Sequence, residues 1–101
     1  MAAYDSEAAL GLVKARLNRL SGDTSLDEYF LARIEAAGNA LEGAGITLTD
    51  SVDDLMLVVD MAVWEYQNRD KPGGMPDWLR LKRRERWLRD RRQEEVAAGD
   101  P

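Results

Sequence analysis

The sequence predicts an all-α fold, a small bundle of about four helices with a long central third helix and a projecting, basic C-terminal helix. Three observations carry that expectation. Apolar residues recur at spacings of three and four in separate stretches, the mark of amphipathic helices. The breaks between those stretches hold Gly, Pro, Ser and Asp, which favour turns. Cysteine and histidine are both absent, so no disulfide framework and no thiolate or imidazole metal site organises the chain. Helices are expected at about residues 5–20, 26–44, 52–69 and 76–95, within a single domain over 1–96 and followed by a flexible tail at 97–101. A chain of 101 residues suits one domain with a modest core.

Each element has its own signal. In the first helix Leu10, Val13, Leu17 and Leu20 form a stripe, and Gly22 is the expected stop. Ser25 and Glu28 have capping-box spacing ahead of the second helix, whose inner face reads Leu26, Phe30, Ile34, Ala37 and Leu41. Gly38 and Gly43 weaken that helix, so a close contact with another helix near Gly38 is one reason to keep glycine there, and fraying of the helix end is the other reading. Ile46 to Thr49 read as a short extended connector, and Asp50 or Ser51 caps the third helix. That helix is the most apolar, with Leu55, Val58, Val59, Ala62, Val63 and Tyr66 on one wide face. Pro72, Gly73 and Gly74 interrupt the chain, and Pro76 suits the first position of the fourth helix. In that helix Trp78, Leu81 and Leu88 are expected to dock on the bundle, with Leu79 and Trp87 pointing elsewhere among arginines.

Charge is divided along the chain. Residues 1–68 carry a net −8, residues 69–92 a net +6 and residues 93–101 a net −3, which leaves −5 overall. Two surfaces with different partners, or one subunit's basic end meeting the acidic face of the next, follow from such a division. No apolar run approaches the roughly 20 residues that span a bilayer. The first residues lack the features of a secretory signal, so synthesis in the cytoplasm and no membrane partner are expected.

Catalysis is expected to be absent. The carboxylates Asp53, Asp54, Asp60 and Glu65 lie along one helix, whereas acid–base chemistry needs two facing each other across a pocket. Gly73-Gly74 lacks the Gly-Lys-Ser/Thr of a phosphate loop. No catalytic residue, cofactor site or metal site is assigned. Two other patterns remain. On the third helix Leu57, Met61 and Trp64 lie opposite the main apolar face, beside Asp53 and Asp60. They are either covered by the other three helices or available to a subunit interface. On the fourth, Trp and Arg together are the residue types enriched at binding hot spots. A solvated basic face, a protein-docking surface and nucleic-acid binding all remain open for it.

The segments Ala62-Val63-Trp64-Glu65-Tyr66-Gln67-Asn68-Arg69-Asp70-Lys71 and Met75-Pro76-Asp77-Trp78-Leu79 resemble the small head–tail connector, or DNA-packaging, proteins of tailed phages and prophages. The similarity is strongest from about residue 51 to 87 and lies in helical patterns rather than catalytic signatures. The acidic first half and acidic tail of this chain depart from that plan. The resemblance implies a non-enzymatic adaptor at the virion head–tail junction. It implies a ring of about twelve subunits under the portal protein that extends the channel for double-stranded DNA. The DNA passes without sequence-specific binding, and the ring contacts the next neck or tail completion protein. On that reading Asp53, Leu57, Asp60, Met61 and Trp64 serve the subunit interface or channel lining. Trp78, Leu79, Arg80, Arg83, Arg84, Arg86 and Trp87 serve portal docking. The alternatives are a small nucleic-acid-binding regulator using the basic helix and a small intracellular binding protein, such as one half of a toxin–antitoxin pair.

Overall fold

In the computed structural model the chain forms α1 (Ser6–Arg16), α2 (Asp27–Gly43), α3 (Val52–Gln67) and α4 (Asp77–Gly99). The structure describes residues 3–71 and 73–99, with side chains as far as 94. Among the described residues there is no strand, and no helix is long and apolar enough to cross a membrane. The molecule measures 54 × 29 × 18 Å. α1, α2 and α3 pack against one another, and α4 packs against α3.

α1 starts where Asp5 accepts from the amides of Glu7 and Ala8 at 3.0 and 3.2 Å, satisfying two otherwise orphaned donors. It ends four residues earlier than the expected Leu20, and Gly22 is not its stop. Asn18 takes the left-handed conformation (φ 57°), and the amides of Asn18 and Arg19 donate to Ala15 and Lys14 carbonyls. This double closure is a Schellman motif, and a short polar side chain tolerates its left-handed residue. Leu20 is consequently 79% exposed rather than part of the stripe.

The expected capping box at α2 is replaced by a different arrangement. Asp23 accepts from both the amide and the hydroxyl of Ser25, and Leu26 occupies the cap without a side-chain bond. Lys14 crosses from α1 to hold this turn, donating to the Ser21 carbonyl and lying 2.9 Å from Asp27. The inner face of α2 is as expected at Phe30, Ile34, Ala37 and Leu41, all buried, with Leu26 partly covered. α2 closes with a second Schellman motif. Gly45 supplies the left-handed residue (φ +97°), and the Ile46 amide reaches back to Leu41, with both side chains buried.

Of the two expected caps, Asp50 and Ser51, α3 uses Ser51, which accepts from the Asp54 amide at 3.1 Å. It stops at Gln67, two residues short of the expected end, with Asn68 as its C-cap. Its core residues meet Ala9, Leu10 and Val13 of α1 and the inner face of α2 in one apolar cluster. Phe30 stacks edge-on against Tyr66 at 5.3 Å, joining α2 to α3. α4 starts one residue after Pro76, whose carbonyl accepts from the Leu79 and Arg80 amides. Its backbone runs on to Gly99, through part of the stretch expected to be a tail, where Ala97 and Ala98 are strong helix formers. Asp100 and Pro101, and Pro72 of the expected loop, lie outside the described residues.

The close contact at Gly38 is with a tyrosine rather than a helix. A Cβ there would meet the Tyr4 ring carbons at 3.0 and 3.1 Å and its hydroxyl closer still. Tyr4 donates to the Ile34 carbonyl at 3.3 Å, sealing the N-terminus onto α2. Gly38→Ala should therefore destabilise the protein by about 1–3 kcal/mol in urea unfolding, since overpacking exceeds the helix-propensity gain of about 1 kcal/mol. A gain in stability would show that Tyr4 yields freely.

Candidate docking surface

α4 is held to the bundle by a buried ionic knot. Arg86, 6% exposed, forks onto both oxygens of Asp54 at 2.7 and 3.1 Å. It also donates to Asp90 one turn along α4 and to the Thr47 carbonyl at 2.7 Å. Asp54 accepts in addition from the Thr49 amide at 2.7 Å and hydroxyl at 2.8 Å. Asp90 accepts from the Thr47 amide at 2.7 Å. The connector between α2 and α3 is thus clamped by side chains from α3 and α4. Bidentate, charge-assisted bonds of this kind fix orientation as well as energy.

Electrostatics follow from that geometry. Burial pushes Asp54 upward, but hydrogen bonds from Arg86 and Thr49 outweigh it and hold the carboxyl below its ordinary range. The same balance, with Arg86 and Thr47, lowers Asp90. The hydrogen bonds that Arg86 donates to Asp54, against the opposing effect of burial, raise the guanidinium above its ordinary value. A second polar tie runs through Asp60, which accepts from Arg16 of α1 and Lys82 of α4, both at 2.6 Å.

The knot sets the rotation of α4 about its axis, and this overturns the expected docking face. Leu79 is wholly buried, while Trp78 and Leu81 are 49% and 56% exposed and Leu88 is half-buried. Leu79, Arg86 and Asp90 lie on one side of a helix with about 3.6 residues per turn, and their attachments decide which side faces inward. Trp87 also turns toward the body. Its indole lies over the Gly45 turn, where a Cβ would be 3.0 Å from Nε1, and beneath the Arg91 guanidinium at 5.2 Å. Glycine is required at 45 twice over, for its backbone angle and for this close approach.

Between Trp87 and the end of α2 lies an open groove of about 310 Å³, lined by Ala44, Ile46, Arg80, Arg83, Arg84 and Trp87. Four of the seven residues expected to dock a partner therefore converge on one groove. Trp78 stands outside it on the same helix. Leu79 and Arg86 do not belong to that surface, being buried within the chain. Among the described residues Arg83 and Arg84 have no carboxylate within 4.0 Å, and Arg80 pairs only with exposed Asp77.

The residues expected at an interface or channel are dispersed. Leu57 and Met61 are buried within the chain's own core, as in the alternative in which the other helices cover them. Asp60 is buried and paired, Trp64 is half-buried against the core, and Asp53 alone is exposed. The knot brings together Asp54, Asp90, Thr47 and Thr49, none of which the sequence marks as a site. The available signal was a lone Asp four residues after an Arg in a basic helix, which is helix-pair spacing. Among the described residues no three acidic side chains converge to hold a metal ion. Comparison with protein-family models, curated proteins and solved structures gave no match for this chain.

Proposed function

We propose that the chain is a structural adaptor, a head–tail connector subunit that forms a ring under a phage portal. The ring extends the DNA channel and joins head to neck or tail. The observation that carries the reading is the groove of Ile46, Arg80, Arg83, Arg84 and Trp87 on a helix otherwise locked to its bundle. An aromatic floor rimmed by arginines, of which Arg83 and Arg84 have no carboxylate partner among the described residues, suits an acidic segment of a partner that inserts one apolar side chain. α3 serves as the central strut and α4 as the projecting arm that presents the groove. Asp53 is the candidate for the channel lining, where a carboxylate gives phosphate no cation to hold. The role is binding and assembly rather than catalysis, exercised in the virion after synthesis in the host.

Replacing both Arg83 and Trp87 with Ala should abolish attachment to portals in a co-sedimentation assay, while circular dichroism stays helical. Unimpaired attachment would remove the docking role. Deleting the gene in its source phage should leave heads that lose DNA or never join tails, as seen by electron microscopy. Normal infectious particles would sink the connector reading.

One observation favours a second reading, a nucleic-acid-binding regulator. Arg83, Arg84 and Arg89 lie along α4 without carboxylate partners among the described residues. A salt titration separates the two readings. Duplex binding through phosphates gives a log–log slope of about −0.9 per phosphate, and an adaptor shows no comparable affinity for duplex.

A further inference from the structure

Next to the groove, and sharing Arg84 with it, α4 has an outward side with no neighbouring helix among the described residues. With about 3.6 residues per turn, Leu81, Arg84 and Leu88 fall opposite the buried side of Leu79, Arg86 and Asp90. Leu81 is more than half exposed, Leu88 is half-buried, and Trp78 flanks them at 49%. The outward side of α2 has the reverse character. Glu28, Glu35 and Glu42 recur every seven residues, are exposed, and have no cation within 4.0 Å among the described residues. Beside them Ala32, Ala36 and Gly43 are exposed, and Gly43 has open space around it. That side therefore carries small residues beside one acidic row.

We propose that the outward face of α4 docks on the outward face of α2 in a second copy of this chain. The inference rests on the reading that the protein assembles with itself, and it assigns the two faces. Leu81 and Leu88 pack on the small residues Ala32, Ala36 and Gly43, which let helix axes approach closely. Arg80 and Arg84, on the edge that this face shares with the groove, meet Glu35 and Glu42, which leaves Arg83 and Trp87 to the portal. Charge complementarity selects this pairing, because α4 against α4 brings arginines together and α2 against α2 brings glutamates together. On α3 Asp54 and Asp60 are already paired within the chain, which leaves exposed Asp53 as a single carboxylate rather than a row like that of α2. The two faces differ, so each added copy leaves one of each free and the contact propagates into a ring or an open helix.

The chain has no cysteine, which makes single-cysteine cross-linking clean. Asn39→Cys and Glu85→Cys place thiols on the two faces without removing a residue that the contact uses. Full-length variants are mixed and treated with a short bismaleimide, free and bound to portals. The mixture should give a cross-linked dimer at least about fivefold above either variant alone, declining as salt rises. Adding Glu35→Lys and Glu42→Lys to the Asn39→Cys chain should abolish it. Arg80→Glu with Arg84→Glu on the Glu85→Cys chain should restore it. Cross-links confined to like variants, or none in either setting, overturn the assignment. If the cross-link fails while portal attachment through Arg83 and Trp87 persists, only the α2–α4 contact falls. If attachment fails as well, the adaptor reading falls with it.

Discussion

Replacing Arg86 with Ala should destabilise the protein by about 3–5 kcal/mol, because it leaves two buried carboxylates without their shared cation. For a domain of this size that corresponds to a drop in Tm of roughly 15–30 °C. The damage should be local first. α4 is secured by Leu79, by Lys82 on Asp60 and by the knot of Arg86 with Asp54 and Asp90. Removing the knot should raise amide exchange along α4 well before α2 and α3 lose protection. Arg86→Lys should not rescue it, since an ammonium group lacks the planar fork that bonds both Asp54 oxygens at once. Hydrogen exchange on the Arg86→Ala chain checks the order of loss. Uniform protection along all four helices would mean that the apolar contacts alone hold α4.

Acid should release the same helix. Asp54 and Asp90 both have folded-state pKa values below their ordinary ones, where hydrogen bonds to Arg86 and the connector overcome the upward push of burial. A carboxyl depressed by folding contributes stability that is fully present above its unfolded value of about 3.9 and is lost as pH falls through the folded value. Unfolding free energy should therefore hold steady down to about pH 4 and then drop steeply, with α4 leaving first. Glu65 works in the opposite direction, since burial raises it and Arg33 at 3.9 Å only partly opposes that. Its folded state retains the proton longer, so its contribution declines as pH rises through the acidic carboxylate range. Urea titrations at a series of pH values measure both slopes. Asp54→Asn should flatten the acid limb and lower the plateau, because it removes both a titrating group and a charge for Arg86. An unchanged acid limb in that variant would assign acid sensitivity to other carboxylates.

These two results concern residues that sequence reasoning placed poorly, and the reasons are physical. Ser51 was legible as a helix start because a cap bonds a backbone amide three residues away. Phe30, Ile34, Ala37 and Leu41 were legible because burial on a helix repeats with its turn. Ser25 was misassigned because the carboxylate of Asp23, two residues earlier, competes for its hydroxyl. The end of α1 was missed because Asn18 can adopt a left-handed conformation that is more readily expected of Gly22. On α4 the apolar residues fit two rotations of the helix. Trp78, Leu81 and Leu88 make the more apolar face, yet Leu79 is the one buried.

The sequence alone determined that the chain is all-α, how many helices it has, roughly where they begin, and which sides of α2 and α3 are apolar. Each of those properties is written in residues within a turn or two of one another. Only the tertiary structure decided the rotation of α4, the burial of Arg86 and Leu79, and the gathering of Arg80, Arg83, Arg84 and Trp87 around Ile46. Arg86 meets Asp54 across 32 residues and Thr47 across 39. Pairings at that distance leave no local period, and a buried charge is tolerated only where its partners converge in space.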